Sequence, residues 1–229
     1  MSPSSMVVFT VLQRIYRPVA LWFTGLMLTG IAIADAVVVR LDGDPALSLW
    51  RLIFGSAAKY WLLVIGIVLV TMHLRQFVAN GVTRRDFTVG SALLGLPLAV
   101  GLAVLVPAGN GLESALLHAG DHAWAAYPGF SVATGLAEPG RSVVIDIAYL
   151  VSGLAVAVGF YRYGGRPGVL LMVPALAPIA VAEGFLGAGS TGDVLPVAAA
   201  AALAVAVTGL VAAFFQRLLR DVPIRRTAG

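Results

Sequence analysis

Three acidic side chains lie inside long apolar stretches of this sequence: Asp35, Asp146 and Glu183. A charged group at the centre of a membrane-spanning helix costs about 2.5 to 3.5 kcal/mol on insertion scales, so such residues are candidates for an ion or substrate path. Each lies near one end of its stretch, which leaves two interpretations open. The acids either line a water-filled outer vestibule or pair with basic residues near the membrane surface. The basic candidates are Arg40, Lys59 and Arg141.

Two histidines and an acid lie close together in a polar segment: His118, Asp121 and His122. The histidines have the i, i+4 spacing at which two side chains on one helix face can share a metal ion. The alternative is an ordinary solvated loop, which is the more common origin of such a group. We therefore assign no metal site, and a metal-binding role of the two histidines stays open.

Motifs of catalytic chemistry are missing from the sequence. A P-loop needs the pattern G-x-x-x-x-G-K-[ST], in which backbone amides and a lysine hold phosphates, but the only lysine is Lys59 and Ala58 precedes it. Neither H-E-x-x-H nor G-x-S-x-G occurs, and the absence of cysteine excludes thiol nucleophiles and disulfides. The chain is therefore predicted not to be an enzyme and to hold no cofactor of its own. A membrane-embedded enzyme is the least favoured class, because no acid, base and nucleophile share one depth.

An arginine-rich segment, residues 73–87 (HLRQFVANGVTRRDF), joins two of the apolar stretches; we call it the elbow. Asn80-Gly81 is a typical turn pair and is expected to end one helical piece. Thr83 followed by Asp86 resembles a capping box with Asp in place of Glu or Gln, and predicts a new helix start.

The elbow arginines act in part as topology anchors on the cytoplasmic side. Anchoring does not account for a turn, a helix cap and two aromatic residues, Phe77 and Phe87, around the basic pair Arg84 and Arg85. The pattern therefore predicts a structured polar connection with packed aromatic rings.

The composition indicates the class of protein. The 229-residue chain is 59% hydrophobic and 11% charged, against about 25% charged in a soluble protein, and its mean hydropathy is +0.94. These values disfavour a water-soluble domain and exclude disordered and coiled-coil chains. A bilayer core requires about 20 apolar helical residues, and six stretches qualify. We expect transmembrane helices at residues 18–39, 54–72, 88–106, 142–161, 168–187 and 194–215.

The basic residues predict the orientation. Alternate sides of the six spans carry 11 and 4 Lys and Arg residues, and the richer side is cytoplasmic by the positive-inside rule. The predicted fold class is therefore an all-α integral membrane protein with six transmembrane helices and both termini cytoplasmic. The whole chain, 1–229, is expected to form a single domain that ends in a basic cytoplasmic tail, 216–229.

The N-terminal residues 1–17 are expected to form an interfacial segment before the first span. Its apolar side chains recur at helical spacing and are Val8, Val11, Leu12 and Ile15. An alternative treats the first stretch as a secretory signal cleaved after residues 32–34. Its apolar length exceeds the usual 7 to 15 residues, which disfavours that alternative.

Two external links are predicted. Residues 40–53 are expected to turn at 43–45 and to place Trp50 in an interfacial aromatic belt. The longest link, residues 107–141, begins with PAGNG and is expected to hold a short external helix and a turn at 127–129. Prolines inside spans should be tolerated as kinks. They are Pro97, Pro174 and Pro178.

The elbow sequence resembles the loop between the second and third spans of ABC-2-type permease subunits, particularly short actinobacterial ones with an N-G-[VS]-[ST]-R-R-x-F pattern. The matching positions are Asn80, Gly81, Val82, Thr83, Arg84, Arg85 and Phe87. Six spans and an amphipathic N-terminal stretch also look like that family. One feature departs from it, because the long external link precedes span four instead of lying between the last two spans.

The resemblance implies a permease subunit of an ABC-type exporter in a bacterial cytoplasmic membrane. It implies a separate ATP-binding subunit that holds ATP and Mg²⁺, a second permease subunit and membrane lipids as partners, and no nucleic acid. The elbow would couple the ATPase to the spans through Arg75, Phe77, Asn80, Gly81, Thr83, Arg84, Arg85, Asp86 and Phe87. The alternative is a small six-span protein without an ATPase, channel-like or a sensor, that uses Asp35, Asp146 and Glu183.

Overall fold

The structure, a computed structural model, describes residues 2–40, 48–119, 132–187 and 195–220. Within these ranges the chain is helical apart from short turns, and it contains no strand. The helices are α1 (Pro3–Arg40), α2 (Trp50–Ala79), α3 (Arg84–Ala119), α4 (Val132–Tyr163), α5 (Gly165–Leu186) and α6 (Val197–Arg220). All six are long and apolar enough to cross a membrane, which confirms the all-α fold with six candidate spans. The cytoplasmic placement of the termini stays a prediction.

Helix is the conformation in which an apolar segment satisfies its own backbone N–H and C=O groups without water. The three prolines expected inside spans, Pro97, Pro174 and Pro178, do lie inside helices. Helix α2 contains two π-helical turns, Trp50–Phe54 and Leu69–Leu74, in which the backbone is wound more widely than in an α-helix.

The N-terminal segment is not separate from the first span. Helix α1 continues through Pro18, so residues 3–17 belong to the same helix as the apolar stretch that follows. Of the four apolar residues at helical spacing, Val8 and Leu12 are buried within the protein, whereas Val11 and Ile15 are exposed. The buried face packs against α3, where the missing side chain of Gly90 leaves room for the first helix. The buried residues are Ser5, Val8, Leu12 and Tyr16.

The expected link at 107–141 is wrong in its first part. Helix α3 runs through Pro107 to Ala119, and the PAGNG sequence does not end it. Gly109 serves packing instead of a turn, because a Cβ there would lie 1.9 Å from the indole ring of Trp50. Trp50 is accordingly only 4% exposed, and its indole N–H donates to the Val106 carbonyl at 2.9 Å. It belongs to the core and not to an interfacial belt. The turns expected at 43–45 and 127–129 lie outside the described residues.

Helix α4 is the centre of the bundle and packs against α2, α3, α5 and α6, whereas α1 lies at the edge on α3. Helix α4 approaches α2 closely at a crossing of Gly66 and Gly153. A Cβ on Gly66 would lie 2.4 Å from the Leu150 carbonyl oxygen, and one on Gly153 would lie 2.1 Å from the Leu63 carbonyl oxygen. The two backbones are therefore in direct contact, as small residues permit in membrane helix pairs.

Candidate functional site

Within the elbow, a tight turn closed by backbone hydrogen bonds joins α2 to α3. Helix α2 ends at Ala79, and the next amides fold back: Gly81 N–H donates to the Val78 carbonyl at 3.1 Å, and Val82 N–H donates to the Phe77 carbonyl at 3.0 Å. Gly81 has a φ of 82°, in the left-handed region that glycine adopts without strain. The turn predicted at Asn80-Gly81 is present.

The predicted helix cap is also present at the start of α3. The Asp86 amide donates to Thr83 Oγ1 at 3.1 Å, and that hydroxyl donates to Asp86 Oδ2 at 2.6 Å. The Ser2 hydroxyl donates to the other carboxylate oxygen, so the N-terminus of the chain joins the same cap. An acid in the first helical turn is further favoured by the helix dipole.

The two elbow phenylalanines contact each other inside the chain. Their ring centroids lie 5.7 Å apart, and Phe87 is only 1% exposed. Phe77 is half-buried beside it. The aromatic contact therefore stiffens the junction between α2 and α3, and Phe87 presents no surface to a partner.

Arg84 connects the elbow to the last helix. Its Nη1 donates to the carbonyl of Leu219 at 3.0 Å and to that of Arg220 at 2.5 Å. At the end of α4, Arg162 Nη1 donates to the Leu218 carbonyl at 2.5 Å. We call this pair the arginine clamp: it supplies donors to carbonyls that have no helical partner at the C-terminus of α6.

The predicted coupling residues thus fall into two groups. Contacts within the chain are made by Phe77, Asn80, Gly81, Thr83, Arg84, Asp86 and Phe87, whereas the side chains of Arg75 and Arg85 are exposed. The resemblance assigns both arginines of the basic pair to coupling with an ATPase, but Arg84 binds the C-terminus of α6. Sequence pattern gave no signal for that contact because the residues are 135 positions apart.

A second group of polar residues lies toward the other end of α2, which we call the far end. Lys59 Nζ lies 2.6 Å from Glu183 Oε1, and the Tyr149 hydroxyl donates to the same oxygen at 3.0 Å. Asp146 is 4% exposed and interacts electrostatically with Lys59 and Glu183. These four residues from α2, α4 and α5 form the polar cluster.

A cavity of about 550 Å³ adjoins the polar cluster. Lys59 and Asp146 line it, as does the ion pair of Arg51 with Glu138. Arg141 also lines it, and its Nη2 donates to the Gly187 carbonyl at 2.9 Å. The remaining wall is mostly apolar and is formed by Leu52, Gly55, Ala58, Val106, Ile145 and Leu186, with Ser48, Ser56, Ser142 and Gly187 between them.

Asp35 lies apart from the other two membrane acids. It interacts electrostatically with Glu113 of α3, and it is not among the residues that line the cavity. Glu113 is a buried residue that sequence reasoning missed. It accepts the Trp50 amide at 3.2 Å and the Ser48 hydroxyl, and so satisfies donors at the start of α2. Its burial follows from the continuation of α3 beyond Pro107, where Asn110, Glu113 and Ser114 are all buried.

The metal hypothesis for His118, Asp121 and His122 is not addressed by the structure, because their side chains lie outside the described part. Within that part, no group of three His, Cys, Asp or Glu side chains is placed to hold a metal ion.

Neither a scan of protein-family models nor searches of curated proteins and solved structures found a match to this chain. The described fold is that of a six-helix protein with two polar regions, and its six apolar helices are compatible with a multi-pass arrangement in a membrane.

Proposed function

We propose that the chain is the transmembrane permease subunit of an ABC-type exporter, coupled through the elbow to a separate ATP-binding subunit. The observation that carries the proposal is the construction of the elbow. It is capped at Thr83, closed by the Phe77–Phe87 contact and bonded to α6 through Arg84. A force on this elbow passes to α2, α3 and α6 together, whereas a slack loop would absorb it.

In this proposal the elbow faces the cytoplasm of a bacterial cell, and the ATPase holds ATP and Mg²⁺. Because Arg84 and Phe87 are engaged within the chain, the docking charge is assigned to Arg85, which is exposed. An acidic patch on the ATPase would complement it and favour one docking orientation. A second permease subunit completes the transporter.

The test is purification of the chain in mild detergent followed by measurement of ATP hydrolysis in the copurified complex. Arg85→Glu should reduce the copurified ATPase to about a tenth, since reversal of a docking charge costs more than 1.4 kcal/mol. Arg166→Glu is the matched control, because Arg166 is an exposed arginine at the start of α5, near the same end of the bundle. It should retain the wild-type amount.

The proposal fails if no ATPase accompanies the wild-type chain, or if both variants retain it equally. In either case the elbow is only a topology anchor.

A second candidate is a six-span protein without an ATPase, channel-like or a sensor. It is favoured by the ionisable groups that line the cavity at the far end, including Asp146 and Lys59. Ion flux through the purified chain in liposomes without ATP, lost in Asp146→Asn, would support this candidate over the exporter.

A further inference from the structure

A second cavity lies beside the elbow, between α3, α4 and α6, and has a volume of about 460 Å³. We call it the apolar cavity, because its wall is almost entirely apolar and no charged side chain of the described residues lines it. The larger apolar side chains of the wall include Phe87 and Leu96 of α3, Leu150 and Leu154 of α4, and Phe215 and Leu219 of α6.

One hydroxyl in this wall lacks a hydrogen bond. Ser91 of α3 lines the cavity and is 1% exposed, and its hydroxyl has no partner among the described residues. Other hydroxyls in these helices donate to the carbonyl four residues earlier. Thr71, Thr88 and Thr208 do so at 2.9, 2.9 and 2.7 Å. A buried hydroxyl without a hydrogen bond destabilises the fold, so Ser91 is suited to a ligand that supplies one.

The size and the wall of the cavity select the class of ligand. A water molecule occupies about 30 Å³, so the cavity has room for about 15 groups of that size. This space suits a single hydrocarbon chain and is too small for a phospholipid with two chains. A charged head group would be costly against a wall without charges, whereas a hydroxyl or carbonyl oxygen can pair with Ser91.

The apolar cavity has an open side. Ala92 and Leu96 of α3 line the cavity and are also exposed on the surface of the bundle. In a membrane this side would face lipid tails, so an apolar ligand can enter from the bilayer without crossing water.

We propose that the apolar cavity binds a neutral, single-chain, lipid-like molecule, with its hydroxyl or carbonyl oxygen hydrogen-bonded to Ser91 and its chain along the apolar wall. Burial of the chain supplies most of the affinity, and the hydrogen bond supplies the selectivity. The inference goes beyond the exporter proposal and is independent of it, because binding in the cavity requires neither an ATPase nor transport.

The test uses dodecan-1-ol with a photoactivatable diazirine in its chain, added to the purified full chain in nanodiscs of zwitterionic lipid. Irradiation links the probe to nearby residues, which are identified by mass spectrometry of peptides. Labels should concentrate in the lining segments, residues 87–96, 147–158 and 212–219. Unlabelled dodecan-1-ol should compete about fivefold better than dodecane at the same mole fraction in the bilayer, because only the alcohol can bond to Ser91.

Ser91→Ala removes the hydroxyl and should make dodecan-1-ol and dodecane compete equally. Ser152→Ala is the matched control, because Ser152 is also a buried helical serine whose hydroxyl has no partner among the described residues, but it does not line the cavity. It should keep the preference for the alcohol. A preference that survives in Ser91→Ala overturns the proposal.

A second pair of variants tests whether the probe occupies the cavity. Ala212 of α6 lines it, so Ala212→Phe should fill part of the space and remove most of the labelling. Ala213→Phe is the matched control, because Ala213 is the adjacent, exposed residue and does not line the cavity. Both variants should elute as the wild-type chain does, which distinguishes a blocked cavity from an unfolded chain. Equal labelling of the two variants, or labels spread evenly over the apolar surface of the wild-type chain, overturns the proposal.

Discussion

The two ends of helix α2 are held by different kinds of contact. At the elbow, the cap of α3 joins residues three positions apart, and arginines bind backbone carbonyls near the surface. At the far end, ionisable side chains make contacts between different helices: Glu113 accepts the Trp50 amide, 63 positions away, and Lys59 pairs with Glu183, 124 positions away. A local cap depends on little beyond its own turn, whereas an ion pair within apolar surroundings depends on three helices being in place. The far end should therefore be the more sensitive to single substitutions.

The largest loss of stability is expected at the crossing of Gly66 and Gly153, because both ends of α2 depend on this contact with α4. Gly153→Ala would place a Cβ 2.1 Å from the Leu63 carbonyl oxygen, so the helices must separate. We expect a loss of about 3 kcal/mol or more, measured as a fall in thermal stability and in the yield of monodisperse protein. Gly101→Ala is the control, since a Cβ there has nothing within 4 Å. Equal tolerance of both variants would contradict the close crossing.

The next largest loss of stability is expected at the far end, from disruption of the Lys59–Glu183 pair. Lys59→Met leaves two carboxylates without their ammonium group and should lower the free energy of unfolding by about 2 kcal/mol. This lies below the cost for a fully buried pair because the two side chains are 27% and 29% exposed. Adding Glu183→Gln should restore most of the stability, which a double-mutant cycle measures. Additive losses would show that the two groups do not depend on each other.

A smaller effect is expected at the elbow cap. Thr83→Ala removes the hydroxyl that accepts the Asp86 amide and should cost about 1 kcal/mol. Thr83→Ser keeps the hydroxyl and should cost much less. Denaturation midpoints of the two variants provide the measurement. A larger loss in Thr83→Ala than in Lys59→Met would reverse the ranking of the two ends.

The smallest effect is expected at the arginine clamp. Arg162→Gln removes one donor from the Leu218 carbonyl, while Arg84 continues to bind the next two carbonyls. We expect severalfold faster hydrogen exchange in the last turn of α6 and a stability change below about 1 kcal/mol. Arg217→Gln, an exposed change in the same turn, should leave exchange unaltered. Identical exchange in both variants would mean that the clamp does not restrain this turn.

The difference between local contacts and contacts between distant helices also determines what the sequence alone could predict. Six spans follow from apolar length, and the elbow turn and cap follow from Asn80-Gly81, Thr83 and Asp86, because each of these signals is local. The partner of Arg84 and the burial of Glu113 could not be predicted, because both depend on how distant helices cross. The PAGNG sequence predicted a turn wrongly for a related reason. Gly109 provides space for the Trp50 ring, and a glycine needed for tertiary packing cannot be distinguished in the sequence from a glycine needed for a turn.

The glycine crossing also provides a point about which α2 can tilt. Gly66 lies 7 residues from Lys59 and 13 from Ala79, so the two arms measure about 10 Å and about 20 Å at 1.5 Å per residue. If α2 tilts as a rigid rod about this fulcrum, its ends move in opposite directions and in the ratio of the arms. A displacement of about 2 Å at the elbow then shifts Lys59 by about 1 Å, which is enough to stretch its 2.6 Å contact with Glu183 beyond hydrogen-bonding range. Movement of the elbow end of α2 would thus lengthen or shorten the Lys59–Glu183 contact at the far end.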